Sequence, residues 1–212
     1  MEIMNIIEDN HPKLARLINW DSNGTTSYYI KESVISDDQL ALLKDETYAA
    51  NMFFVSLNKF GLKSKFHSNK QESAFTEIYN TIFTHMLNIN DTIFGCNVTG
   101  RERVQINTFD TGHYFDWHKD DNFFVGRHNE DDDSLIYRKL LGIFFVNDSE
   151  EYVGGDIQLR TMDNNPDECI HTVNAQAGSL LVFPALLPHR ISPIISGIRK
   201  TLVFRLCGPR WQ

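Results

Sequence analysis

Two side chains that can bind a metal ion lie two positions apart, in the run His118-Lys119-Asp120. In a β-strand, residues i and i+2 face the same side, so this imidazole and this carboxylate can meet one ion. They supply two ligands of a three-ligand facial site, which a second histidine would complete. The run LVFPALLPHRI places His189 just after an apolar strand and a proline-bounded turn, and we predict that His189 is the third ligand.

A cationic side chain follows the third predicted ligand. Arg199 opens the segment RKTLVFRL, which has the composition of a final strand. A guanidinium group can bind a carboxylate through two parallel hydrogen bonds. A metal ion with three protein ligands keeps other coordination positions open, enough for a bidentate 2-oxo acid and for dioxygen.

These residues lie in a half of the chain that has a β-rich texture, with short apolar runs separated by glycine and proline turns. A set of about eight strands within some 105 residues favours a closed double-sheet jelly roll of the cupin kind, a double-stranded β-helix. The predicted strands are near Arg103–Phe109, His113–His118, Tyr137–Val146, Gly155–Thr161, Cys169–Val173, Ser179–Phe183, His189–Ile194 and Arg199–Cys207.

The first half of the chain is predicted to be helical. Apolar residues at helical spacing indicate one helix from Ser36, a plausible N-cap, to about Leu62, and a second from about Glu72 to Leu87, with a loop between them. We therefore expect a single domain over residues 1–212, in which about 1–100 form a helical support and about 101–212 form the jelly-roll core. The stretch Asp121–Ile136 fits neither period and has the length of a functional loop.

Composition argues against several classes of partner. The chain has 20 Lys and Arg against 28 Asp and Glu, a net charge of −8, which disfavours binding to nucleic acid or to anionic membranes. It contains no run of about 18 apolar residues and no apolar leader, so neither a membrane span nor a signal peptide is predicted. Its three widely spaced cysteines fit a reducing compartment, and we expect a cytoplasmic protein.

Several blocks of the second half, in order, resemble motifs of the prolyl-4-hydroxylase-like branch of the Fe(II)- and 2-oxoglutarate-dependent dioxygenases. QINTFDTGHYFDWHKD resembles the segment around the metal pair, GGDIQL the Gly-Gly-acid turn, AGSLLVFPALLPHRISPI the strand before the distal histidine, and SGIRKTLVF the cosubstrate-binding strand. The resemblance spans roughly Arg103 to Gly208, about half of the chain.

The resemblance implies a full set of cofactors. His118, Asp120 and His189 would hold Fe(II), 2-oxoglutarate would chelate the iron, and Arg199 would bind its distal carboxylate. With O2, such enzymes convert 2-oxoglutarate to succinate and CO2 and hydroxylate their substrate; ascorbate is a candidate accessory cofactor. Related halogenases carry a small residue in place of the carboxylate ligand, so Asp120 favours hydroxylation.

The chain departs from the family pattern at the cosubstrate end. Many family members carry a tyrosine whose hydroxyl holds the cosubstrate, and Phe109 stands in its place. Thr201 shares a strand face with Arg199, and we predict that its hydroxyl replaces the missing donor. Gln105, on an earlier strand, is a further candidate cofactor-binding residue.

A second departure concerns the substrate. Arg205 stands where the family often has tryptophan, and strand alternation turns it toward the barrel interior. A buried guanidinium needs a partner. A substrate carboxylate would favour a free amino acid or other small acid, whereas a protein acid such as Asp156 would leave peptidyl proline as the better substrate. A cupin-like metal-binding module without turnover is the alternative from another class.

Overall fold

The computed structural model describes residues 27–45, 53–57, 62–66, 73–120, 123–124, 136–161 and 170–210. The strands of this part of the chain are, in chain order, β1 (Tyr29–Lys31), β2 (Phe53–Leu57), β3 (Leu62–Phe66), β4 (Gly100–Arg101), β5 (Gln105–Phe109), β6 (Phe115–His118), β7 (Phe123–Phe124), β8 (Ile136–Phe145), β9 (Tyr152–Gly154), β10 (Ile157–Arg160), β11 (Ile170–Val173), β12 (Leu180–Pro184), β13 (His189–Ile191), β14 (Ile194–Gly197) and β15 (Arg199–Gly208).

The strands form a double-stranded β-helix, as predicted, with two sheets that face each other. The major sheet has the order β1-β12-β8-β15-β5-β3-β2, with β4 also paired to β15 and β7 to β8. The minor sheet has the order β11-β10-β13-β6, and β14 and β9 form a separate two-stranded ribbon. All eight predicted strands are present with shifted ends, and the seventh is divided into β13 and β14.

The central strands of the major sheet are buried on both faces, which explains the apolar runs LLGIFF in β8 and LLVF in β12. In β8, Leu140 and Phe144 pack in the outer cluster with the helix, whereas Leu141, Ile143 and Phe145 pack in the inner cluster between the sheets. Alternate residues of one strand thus belong to two different cores.

Within the described part of the chain, two α-helices brace this core. Helix α1 (Asp37–Lys44) begins at Ser36, whose hydroxyl accepts from the backbone of Gln39 in a capping box. Helix α2 (Ser73–Ile89) continues into a π-helical turn, Asn90–Phe94, and lies against the outer face of the major sheet. Among the described residues, no helix is long and apolar enough to cross a bilayer.

The predicted extension of the first helix to about Leu62 is wrong. The helix ends at Lys44, and FFVSL forms β2, which pairs with β3 in the segment predicted as a loop. Aromatic and β-branched residues favour strands, and the edge of β5 provides the pairing partner for β3. Strands β1 to β3 therefore extend the sheet from the first hundred residues. Of the predicted loop Asp121–Ile136, only β7 and the start of β8 lie within the described residues.

Candidate active site

A cavity of about 250 Å³ lies between the two sheets. All seven residues proposed from the sequence as metal, cosubstrate or substrate contacts line it: Gln105, His118, Asp120, His189, Arg199, Thr201 and Arg205. Strand geometry explains this convergence, because the inward-facing residues of β5, β6, β13 and β15 all point between the sheets.

Three of these side chains form a compact metal-binding arrangement. His118 at the end of β6 lies opposite His189 at the start of β13, as an antiparallel pair. Asp120 follows two residues after His118, where its backbone N–H donates to the carbonyl of Ala185 at 2.9 Å. One ligand atom of each residue lies within 4.8 Å of the other two. An imidazole, imidazole and carboxylate set of this kind suits non-haem Fe(II).

Both imidazoles are oriented by backbone carbonyl groups. His118 Nδ1 lies 2.7 Å from the carbonyl oxygen of Asp116, and His189 Nδ1 lies 2.9 Å from that of Leu187. A neutral ring that donates from Nδ1 keeps its Nε2 lone pair available for a metal ion. Asp116 therefore acts on His118 through its main chain, whereas its carboxylate accepts from the backbone of Trp117.

Electrostatics favours the protonation states that a metal ion requires. Burial lowers the pKa of His189 to about 4, and burial also lowers the pKa of His118, so both imidazoles are neutral near pH 7. Burial raises the pKa of Asp120, but the charges of Arg205 and other neighbours outweigh it, and the net shift is downward. Asp120 is therefore a carboxylate.

Arg199 lines the cavity and is buried, with only 1% of its surface exposed. Its Nη1 lies 3.5 Å from the Thr201 hydroxyl, while Nε and Nη2 have no hydrogen-bond partner in the structure. The rings of Phe109 and Phe145 flank the guanidinium at 5.5 and 5.6 Å. A buried cation with two unpaired nitrogens is costly unless an anion completes it. This arrangement fits a carboxylate bound at Arg199.

The other predicted cosubstrate contacts have different surroundings. Thr201 is 1% exposed, lines the cavity and approaches Arg199, as strand alternation predicted. Gln105 also lines the cavity, but its side-chain oxygen accepts from Arg205 Nη1 at 2.9 Å and its nitrogen donates to Asn107 at 2.8 Å.

The partner suggested for Arg205 has to be corrected. Arg205 faces the cavity as predicted, but its Nε donates to Oδ2 of Asp120 at 2.9 Å, not to Asp156. Asp156 lies beside Ser192, whose hydroxyl donates to it at 3.4 Å. The sequence could not identify this pair, because residues 120 and 205 are brought together only by the packing of the two sheets.

Sequence reasoning missed two charged residues near Asp120, Arg138 and Glu102. Arg138 lines the cavity, and its Nη1 lies 3.8 Å from Asp120 Oδ2. Glu102 binds Arg138 through two hydrogen bonds of 2.5 and 3.0 Å. Arg138 and Lys139 are the two charged residues of the mostly apolar strand β8, and a charge within such a strand is the signal that could have identified Arg138.

Comparison with known proteins agrees with this site. Residues 104–205 match the family model described as the 2OG-Fe(II) oxygenase superfamily. Two proteins called PKHD-type hydroxylase, from Synechococcus sp. strains JA-2-3B'a(2-13) and JA-3-3Ab, are each 25% identical over 100 residues, which is 47% of this chain. The chain spans 40% of the length of these relatives.

Solved structures with the same fold include several prolyl hydroxylases. The Pseudomonas putida prolyl-4-hydroxylase is 18% identical, with a TM-score of 0.64 over 91% of this chain and 97% of its own. The collagen prolyl hydroxylase of Paramecium Bursaria Chlorella virus-1, in complex with 2OG, is 14% identical, with a TM-score of 0.62 over 89% of this chain and 99% of its own.

The fold and the matched segment point to the same class of protein: residues 104–205, about half of the chain, match the 2OG-Fe(II) oxygenase superfamily. Within that superfamily, the resemblance to the prolyl-4-hydroxylase-like branch is confirmed.

Proposed function

We propose that this protein is a 2-oxoglutarate-dependent hydroxylase that acts on an aliphatic C–H bond of an amino-acid-like substrate. One observation carries the proposal. A single cavity contains a His-Asp-His cluster, with ligand atoms within 4.8 Å of one another, and a fully buried arginine with two unpaired nitrogens. The first feature suits Fe(II), and the second suits an acid that also reaches the metal ion.

In this proposal, His118, Asp120 and His189 hold Fe(II). The two imidazoles are neutral and the carboxylate is ionised, so the site has one negative charge to offset the charge of the ion. Three protein ligands leave open positions for the cosubstrate and O2. Arg199 binds the distal carboxylate of 2-oxoglutarate, and Thr201 donates to it in place of the tyrosine hydroxyl that Phe109 lacks.

The bound iron and cosubstrate would supply oxidising power: substrate, 2-oxoglutarate and O2 give hydroxylated substrate, succinate and CO2. The protein contributes the enclosure. Phe109, Leu141 and Ile143 form an apolar wall of the cavity, which would limit the access of bulk water to the reacting C–H bond. Asn107 and Gln105, which precede Phe109 on β5, make the neighbouring part of the cavity wall polar.

Two substrate classes fit this site. A free amino acid or other small acid is supported by Arg205, which lines the cavity and uses only part of its donor set on Asp120 and Gln105. Peptidyl proline is supported by the engagement of Arg205 with a protein carboxylate. It is also supported by solved relatives such as the Trichoplax adhaerens prolyl hydroxylase in complex with a hypoxia inducible factor peptide fragment, which is 16% identical with a TM-score of 0.62.

Succinate formation tests the activity. The purified chain, supplied with Fe(II), ascorbate and 2-oxoglutarate, should form succinate, and His189→Ala should not. A metal-binding module without turnover would bind the ion and form no succinate in either case.

Mass spectrometry separates the two substrate classes. A gain of one oxygen atom on free amino acids, with proline-containing peptides unchanged, would support the small-acid substrate. The reverse pattern would support peptidyl proline. If neither pool gains oxygen while succinate forms, the amino-acid-like substrate is wrong but the oxygenase activity stands.

A further inference from the structure

The two carboxylate oxygens of Asp120 have different environments. Oδ1 lies 3.8 Å from Nε2 of the candidate ligand His118. Oδ2 accepts from Arg205 Nε at 2.9 Å and lies 3.8 Å from Arg138 Nη1. One oxygen is therefore directed at the imidazole ligand, while the other is held by a guanidinium group.

Arg205 is itself held firmly. Its side chain is buried, and Gln105 Oε1 accepts from its Nη1 at 2.9 Å. Because a guanidinium group only donates, this contact requires the Gln105 oxygen to face Arg205 and the amide nitrogen to face Asn107, as observed at 2.8 Å. The chain of contacts runs across two neighbouring strands, β15 and β5, so Arg205 has little freedom to rotate.

The charges on this side of the cavity are balanced without a substrate. Arg138 and Arg205 face Asp120 and Glu102, and Glu102 lies 4.0 Å from Arg205 Nε as well as binding Arg138 directly. Two cations and two anions thus form one network. Each charge of this network has a partner of opposite sign before any ligand binds, in contrast to Arg199, whose two unpaired nitrogens call for an anion.

We propose that Arg205 is a positioning residue for the metal ligand Asp120. By occupying Oδ2, Arg205 would leave Oδ1 as the oxygen of Asp120 that is available to hold the ion. This inference rests on the proposed metal site. It gives Arg205 a role different from substrate selection, in which its loss would alter substrate binding and leave the metal ion unaffected.

The test measures metal affinity directly. Co(II) and Mn(II) are titrated into the metal-free chain by calorimetry, and the Co(II) absorption spectrum reports the coordination geometry. Loss of a group that orients a metal ligand typically lowers metal affinity by about 10- to 100-fold. Arg205→Gln should raise the dissociation constant by such a factor and change the Co(II) spectrum. Arg205→Lys, which keeps the charge but loses the planar fork, should give a smaller change in the same direction.

A matched control removes a guanidinium group outside the cavity. Arg160 lies over the ring of Trp117 at 4.4 Å and is exposed. Arg160→Gln should bind both metal ions as the wild type does. Thermal unfolding of each variant without metal shows whether it folds, and Arg205→Lys provides the measurement if Arg205→Gln does not fold.

The possible outcomes separate this inference from the proposed function. Wild-type metal affinity and an unchanged Co(II) spectrum in a folded Arg205 variant would overturn the positioning role. If only the Michaelis constant of the prime substrate changed, Arg205 would be a substrate contact instead. If the wild-type chain itself bound neither ion, or if His189→Ala bound them equally well, the proposed metal site would be wrong.

Discussion

Replacement of Arg199 by methionine should separate two effects of this residue: destabilisation of the free protein and stabilisation of the complex with 2-oxoglutarate. The guanidinium is 1% exposed and leaves Nε and Nη2 unpaired. Burial also lowers the pKa of Arg199, and this effect outweighs the opposing influence of Tyr152 and Asp156. Each unpaired polar group costs about 1–3 kcal/mol. The flanking contacts with Phe109 and Phe145 return only about 0.5–2 kcal/mol each.

Arg199→Met should therefore leave the free energy of unfolding of the free protein unchanged or higher. A flexible apolar side chain can occupy the same volume beside the two rings without an unpaired donor. In the complex with 2-oxoglutarate, the replacement of Arg199 should be unfavourable instead. A charged hydrogen-bonded contact contributes about 1.5–3 kcal/mol, which corresponds to a rise of roughly 10- to 150-fold in the Michaelis constant for 2-oxoglutarate.

Two measurements check this reasoning. Urea unfolding with and without 2-oxoglutarate gives the stability of each state, and at a concentration of 100 times the dissociation constant the wild type should gain about 2.7 kcal/mol. Initial rates of succinate formation give the Michaelis constant. Thr201→Val is the matched control, because it removes a hydroxyl only 3.5 Å from Arg199 and should have a smaller effect. A variant that is destabilised by more than about 2 kcal/mol, with an unchanged Michaelis constant, would make Arg199 a structural residue.

Three further predictions follow from the site and the core. Alanine at any one of the three candidate metal ligands should abolish succinate formation, since a facial site that lacks a ligand loses affinity and geometry; near wild-type turnover would remove that residue from the assignment. Burial raises the pKa of Cys96 to about 12. Alkylation of this thiol at pH 8, monitored by site-resolved mass spectrometry, should therefore be much slower in the folded chain than in urea. Equal rates in the two states would show an accessible thiolate. Gly208→Ala would place a Cβ atom 2.0 Å from the carbonyl oxygen of Asn97. Overpacking of this kind should lower the free energy of unfolding, measured in urea, by about 1–3 kcal/mol or more. Wild-type stability would mean that the segments around Asn97 and Gly208 separate readily.

The strand pattern was predictable because the repeat of a β-strand is local. In β15, Arg199, Thr201 and Arg205 were expected on one face from their even spacing, and all three line the cavity. The helix prediction beyond Lys44 was wrong for the converse reason. The run FFVSL has apolar residues that fit either period, and its pairing with β3, which in turn pairs with β5, decides the outcome.

The sequence by itself determined the chemical inventory of this protein: an imidazole and a carboxylate at i and i+2, a second histidine after an apolar strand, and an arginine at the start of the last strand. Tertiary structure alone decided which charges meet. Arg205 binds Asp120 across 85 residues of chain, and Arg138 binds Glu102 across 36. Such pairs depend on how the two sheets pack and on the register of several strands. The spacing of residues along the chain determines neither of these.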